Sequence, residues 1–305
     1  MRSYKSIILS LLLLLVSLGS RAAVNHFITL TGQVGEHSWI TGTDAVKANS
    51  SFGIGGGVGV HYELQKKHFL LTAGLDANPS YSVFSLVPYQ TSFECLDTQQ
   101  DRMTYTYYFH DRKDAYTNVA LHVPLMLGGQ FDKVYFLVGA KVSMSLFGQA
   151  NGFSLVNSEG SYQQFIGDFK DMYEHAFFTD HQVATRMPIA FNMNVLASLE
   201  LGLRLGDGYK ATGFGYKQKQ KIQYRVALFA DYGVLNAVNT APYPLYSTPT
   251  LFNESDMTSG VVINNLLLSE ARPNRVNPLQ IGVKFTVLFK VGEPKKCVIC
   301  HEDDR

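Results

Sequence analysis

The sequence predicts an all-β protein, an eight-stranded antiparallel up-and-down transmembrane β-barrel with long extracellular loops. Three observations lead there. Segments of period-two alternation recur about eight times along the chain, and that period is the signature of a strand with one apolar and one polar face. Short and long connections between these segments alternate without exception. The charged residues within the segments all fall on the polar face.

The alternation is clearest over residues 191–205. Phe191, Met193, Val195, Ala197, Leu199, Leu201, Leu203 and Leu205 point one way, and Asn192, Asn194, Ser198, Glu200, Gly202 and Arg204 the other. Such a strand fits hydrocarbon on one side and a polar lumen on the other.

Taken from the start, residues 1–22 read as a secretory signal. Arg2 and Lys5 precede a run of Ile, Leu and Val, and Ser20 and Ala22 supply the small residues of a cleavage site. Cleavage is expected near Ala22. Strands are then expected over 26–35, 51–64, 68–80, 116–130, 133–148, 190–206, 221–236 and 278–290. Gln65-Lys66-Lys67, Phe131-Asp132 and residues 206–220 form the shorter connections. The longer ones cover 36–50, 81–115, 149–189 and 237–277. An outer-membrane barrel has this asymmetry, with short turns on the periplasmic side and long loops outside. The barrel domain spans 23–290, and residues 291–305 form a periplasmic tail.

The polar faces carry Glu63, Asp76, Glu200 and Asp231 against Lys141, Arg204, Arg225 and Lys284. A Lys or Arg facing lipid at midplane costs on the order of 2–4 kcal/mol, enough to segregate charge this way. The signs balance, so these eight residues are expected to form a charge network in the lumen. An eight-stranded barrel is about filled by its own side chains, so the lumen is expected to be plugged. Glycines on the polar face of 51–64 suit a tight lumen. His122 is expected there too, as a hydrogen-bond partner. The same alternation would suit a soluble lipocalin-like barrel with its apolar face turned inward. The signal segment, the one-sided long loops and the aromatic content (17 Tyr and 20 Phe) favour the membrane. A net charge of +1 offers no electrostatic case for nucleic acid.

The segment Asn118-Val-Ala-Leu-His-Val-Pro-Leu-Met-Leu-Gly-Gly, followed by Val134-Tyr-Phe-Leu-Val-Gly-Ala-Lys-Val-Ser, resembles a family of small outer-membrane barrels from Bacteroidetes that includes PorT-like proteins. Val123, Pro124, Leu125, Leu127, Gly139 and Ala140 carry the likeness, and the closing strand from Pro278 to Phe289 adds to it. The resemblance implies an outer-membrane barrel, some relatives of which serve type IX protein secretion, and it brings no catalytic residues. Pro124 in mid-strand requires irregular pairing there.

Candidate chemistry is sparse. Cys297-Val-Ile-Cys300-His301 matches the haem-attachment string, but no domain surrounds it to bury a haem. A disulfide or redox-labile pair between Cys297 and Cys300 is the preferred reading. Cys95, in a loop across the bilayer from the tail, cannot meet the distance of about 7 Å that a disulfide requires. It is expected to be free, intermolecular or covered by a loop. His110-Asp111, Glu174-His175 and Asp180-His181 could supply acid–base pairs, but no Ser stands at a spacing that selects a nucleophile. No cofactor or metal site is expected. Tyr105, Tyr107, Tyr108, Phe109, Phe165, Phe169, Tyr173, Phe177 and Phe178 are expected to pack on the rim or meet a partner, with 165–178 as a short helix. The expected role is non-enzymatic: structural, or binding a partner or ligand through the loops, in contact with outer-membrane lipid and with envelope proteins. The alternatives are a subunit of a secretion or uptake assembly, a lipid-modifying or proteolytic barrel enzyme, and a small-solute channel.

Overall fold

A computed structural model describes residues 24–42, 48–96, 101–162, 168–169, 178–205, 209–211, 217–219, 222–238, 244–247, 261–269 and 272–291. The expected signal segment, the tail with Cys297, Cys300 and His301, and the Glu174-His175 pair lie outside these residues.

The chain forms an all-antiparallel sheet in which eight strands close into a hydrogen-bonded ring. They are β1 (Asn25–Gly42), β2 (Ala48–Lys66), β3 (Phe69–Leu86), β4 (Arg102–Phe131), β5 (Val134–Tyr162), β6 (Asn194–Leu205), β7 (Ile222–Gly233) and β8 (Arg275–Val291). Each pairs with its neighbours in sequence, and β8 returns to pair with β1 over residues 275–291 and 26–42. Three further strands join the same sheet. Tyr89–Leu96 adds to β4, and Asp168–Phe169 and His181–Pro188 add to β5.

Two-residue turns connect β2 to β3 and β4 to β5. Each opens with a residue in the left-handed region, Lys67 at φ 53° and Asp132 at φ 52°, which suits the twist of a tight hairpin. At the closing seam Gly35 and Gly282 face each other in register. A Cβ built on Gly282 would lie 2.1 Å from the Val34 carbonyl oxygen, and one on Gly35 2.2 Å from that of Ile281. Glycine is what permits β1 and β8 to approach this closely.

Side chains alternate across the wall. Outward stand Leu30, Val58, Leu75, Leu125, Val138, Leu201, Leu228 and Ile281, each about half exposed or more. Inward and buried lie Thr29, Gln33, Glu63, Thr72, Asp76, Lys141, Glu200, Arg225 and Lys284. Where strands run past their expected limits, some ionisable groups depart from the expected segregation: Glu36 on β1 and Lys113 on β4 are exposed on the outward face.

The expected strand limits need larger corrections at β4 and β5. These strands run for 30 and 29 residues, so most of the expected loops 81–115 and 149–189 is sheet. Bulges hid this. Pairing of β4 with β5 shifts between His110 and Lys113, and again between Val119 and Ala120. A bulge adds one residue to a strand, so the inward set changes from Met103, Tyr105, Tyr107 and Phe109 to Arg112, Asp114 and Tyr116. Asp111, at φ 48°, makes that step. β6 in turn begins at Asn194 rather than at 190, and Phe191 turns inward. The expected helix over 165–178 lies mostly outside the described residues, and Asp168–Phe169 within it is strand. Pro124 sits where the β3–β4 ladder skips from Ala73–Leu125 to Asp76–His122, so its missing N–H breaks no pair on that side.

Replacing Gly282 with Ala is expected to lower stability by about 1–3 kcal/mol through overpacking at the seam. Gly32→Ala, whose Cβ meets nothing within 4 Å, is expected to change it little. Urea unfolding of the two variants side by side checks this.

Candidate functional site

The interior is built in tiers. Nearest the short turns, Glu63 of β2 accepts two hydrogen bonds from the Arg225 guanidinium of β7, at 2.7 and 2.9 Å. The two strands lie on opposite sides of the ring, so this bidentate pair crosses it. Arg225 also donates to Gln130 Oε1 at 2.9 Å and lies 4.7 Å over the Tyr135 ring. Tyr135 donates its hydroxyl to Glu200 at 2.5 Å, and the other Glu200 oxygen accepts from Lys284 at 2.9 Å. In the next tier Asp231 accepts from Lys141 at 2.7 Å and from Ser198 at 2.6 Å. His61 donates to Asp76 at 2.7 Å, and the Thr31 hydroxyl donates to the same oxygen at 3.4 Å.

Every ring strand contributes at least one member: Thr31, Glu63, Asp76, Gln130, Lys141, Glu200, Arg225 and Lys284. Seven of the eight expected network residues are thus hydrogen-bonded within the ring. The eighth, Arg204, is half-buried, and its Nε has no partner among the described residues. His122 is buried on the inner face, and its Nδ1 has no partner there either.

Beyond the tiers, the long-connection end is closed by packed side chains. Trp39 stacks on Phe191 with centroids 5.2 Å apart and donates its indole N–H to Ser82 at 2.6 Å. Leu266, Leu267 and Leu268, a single turn of 3₁₀ helix, pack into the same cluster with Phe84, Tyr116, Ile189 and Val276. The plug is gripped by polar contacts from β4. Asp114 accepts from the Leu266 N–H at 2.5 Å, the Tyr116 hydroxyl accepts from the Leu267 N–H at 3.0 Å, and Arg112 donates to the Asn264 carbonyl. Arg112 and Asp114 are themselves paired at 3.1 Å, with both side chains fully buried. Burial pushes the Asp114 carboxyl above its ordinary value, against the opposing pull of Arg112 and of the Leu266 N–H.

Past the plug, β4 and β5 continue into a cap. Met103, Tyr105, Tyr107, Phe109 and Val156 meet Phe178, Val183, Val261 and Ile263 in a second apolar cluster. Of the aromatics singled out in the sequence, Tyr105, Tyr107, Phe109 and Phe178 build this core. Tyr108 faces the other way and donates to Glu159 at 3.1 Å. The acid–base pairs adjacent in sequence are rearranged: His110 meets Asp180 at 2.9 Å, on an exposed part of the cap. Cys95 lies on the Tyr89–Leu96 strand opposite Met103. Sequence reasoning missed Arg112 and Asp114. Their alternation with Tyr116 was a usable signal, but the Asp111 bulge puts it out of phase with the aromatics before it.

The arrangement seals the ring at both levels with paired charges and apolar packing. No protein family and no curated protein matches the chain. The likeness to the Bacteroidetes barrels therefore rests on the segments from Asn118, Val134 and Pro278.

Two tests follow from the network. Arg225→Met is expected to cost about 3–5 kcal/mol, because Glu63 is left buried without its partner, and Glu63→Leu combined with Arg225→Met is expected to recover part of that loss. Denaturant unfolding of the single and double variants measures the difference. Asp114→Asn, which leaves Arg112 buried without its counter-charge, is expected to loosen the plug while the ring stays closed. Limited proteolysis should then cut within 261–269 faster than in the unaltered protein.

Proposed function

We propose that the protein is an outer-membrane β-barrel with a closed lumen, acting through the cap at its long-connection end as a structural or partner-binding element rather than an enzyme. The outer wall carries the argument. Large apolar side chains on all eight ring strands face outward and exposed, whereas the ionised side chains of the tiers face inward. In water that arrangement would expose an apolar surface far beyond the few hundred Å² usual for a soluble monomer. In a bilayer it is the favourable one, and closure of the ring satisfies the backbone groups that lipid cannot. Glu36 stands at the upper margin of this belt, toward the long-connection end, where a carboxylate reaches headgroups and water.

Phe69, Phe131 and Val134 border the belt at the short-turn end, each more than two-fifths exposed. Exposed Lys67 and Lys133 lie just beyond them, which is the aromatic and basic edge expected at a membrane surface. The ion-paired tiers and the leucine plug favour a barrel that conducts nothing over an open channel. The cap, with its own apolar core, favours presentation of a fixed surface over loops that merely connect strands. A place in a secretion or uptake assembly is the form of partner binding that the family resemblance suggests.

The folded protein, mixed with phospholipid vesicles and spun through a density gradient, is expected to float with the lipid and to resist extraction at alkaline pH. Recovery as a water-soluble monomer would overturn the reading. Planar bilayers carrying the protein are expected to show no conductance above background, and combined Glu200→Ala and Lys284→Ala is expected to open a measurable leak.

A further inference from the structure

Between the Lys141–Asp231 tier and the plug lies a cavity of about 40 Å³, space for about three waters. His37 of β1 and His122 of β4 line it, with Trp39 and Phe191 on the plug side. Both histidines are more than nine-tenths buried. Neither ring makes a hydrogen bond to another side chain among the described residues, and the Nδ1 of each is buried without a partner.

The neighbouring charges are committed. Both oxygens of Asp231, on the cavity wall, are taken by Lys141 and Ser198. Asp76 on β3 is held through Oδ1 by His61 on β2, and its second oxygen does not line the cavity. Lys284 on β8 is bound to Glu200 on β6. With uncharged imidazoles, four acids (Glu63, Asp76, Glu200, Asp231) oppose four bases (Lys141, Arg204, Arg225, Lys284). A proton taken up by His37 or His122 therefore leaves an excess positive charge in a buried interior, which is costly unless it is neutralised. No carboxylate on the wall is free to do so.

We infer that this cavity is a proton-linked binding site for a small monovalent anion of halide size, held between the rings of His37 and His122, one of them protonated to imidazolium and the other a neutral imidazole. One anion enters with one proton, so that the interior stays neutral. The inference does not depend on whether lipid or water surrounds the ring.

Trp39, the only tryptophan, reports on the site. It lies edge-on to His37 at 5.1 Å, where both an imidazolium and a bromide ion would quench its emission. The experiment follows Trp39 fluorescence of the folded full-length protein from neutral to acid pH, with bromide replaced stepwise by gluconate at constant ionic strength. The quenching midpoint is expected to rise by about one pH unit per tenfold bromide once bromide exceeds its dissociation constant. His37→Gln and His122→Gln, verified as folded by circular dichroism, are expected to abolish that dependence. A midpoint identical in bromide and gluconate would mean that the cavity holds water only and would overturn the site. So would the lack of any acid response short of unfolding. The unaltered protein alone decides between these outcomes, whether or not the variants fold.

Discussion

An ionised group inside a closed ring must find an opposite charge or a hydrogen-bond donor on another strand. That constraint orders the whole interior. Once Glu63, Asp76, Glu200 and Asp231 point inward, each requires a donor from another strand, and Arg225, Lys284, Lys141 and His61 supply them. Three of these pairs bridge strands that are distant in sequence, so a slip in register along the seam would leave several buried charges unmatched together. Closure and charge pairing enforce each other: the ring makes pairing obligatory, and the pairs hold the ring at one register.

The cap obeys the same logic. The buried Arg112–Asp114 pair is satisfied by the backbone of the 264–266 segment, and the aromatic run of β4 is covered by Phe178, Val261 and Ile263. The connection between β7 and β8 is thus drawn over the mouth and fixed there by hydrogen bonds to its main chain. Main-chain grips of this kind place few demands on which side chains the connection carries.

Legibility in the sequence followed the regularity of the backbone. Where strands run without bulges, as in β6 and β8, period two gave the strand, its two faces and the inward charges. Where bulges intervene, at Asp111 and opposite Val119 and Ala120, the same rule stopped too early and half of β4 and β5 passed for loop. Pairings across the ring were not legible at all. The sequence presents four acids and four bases, but which meets which depends on strand tilt and register. Arg204, counted among them by its face, sits near the end of β6 and makes none of these contacts. His110 and Asp180 met for a similar reason: their union depends on strand pairing, which neighbours in the chain do not reveal.

The wall is uneven in height. β4 and β5 span 30 and 29 residues, whereas β6 and β7 have 12 each. The tall pair stands as a mast, kinked at its two bulges, rooted in the tight turn at Asp132 and bearing the cap at its head. A pull on the cap along that mast would draw β4 and β5 together and load, in shear, the ladders that join them to β3 and β6. Among the described residues the rim is therefore stepped and not level.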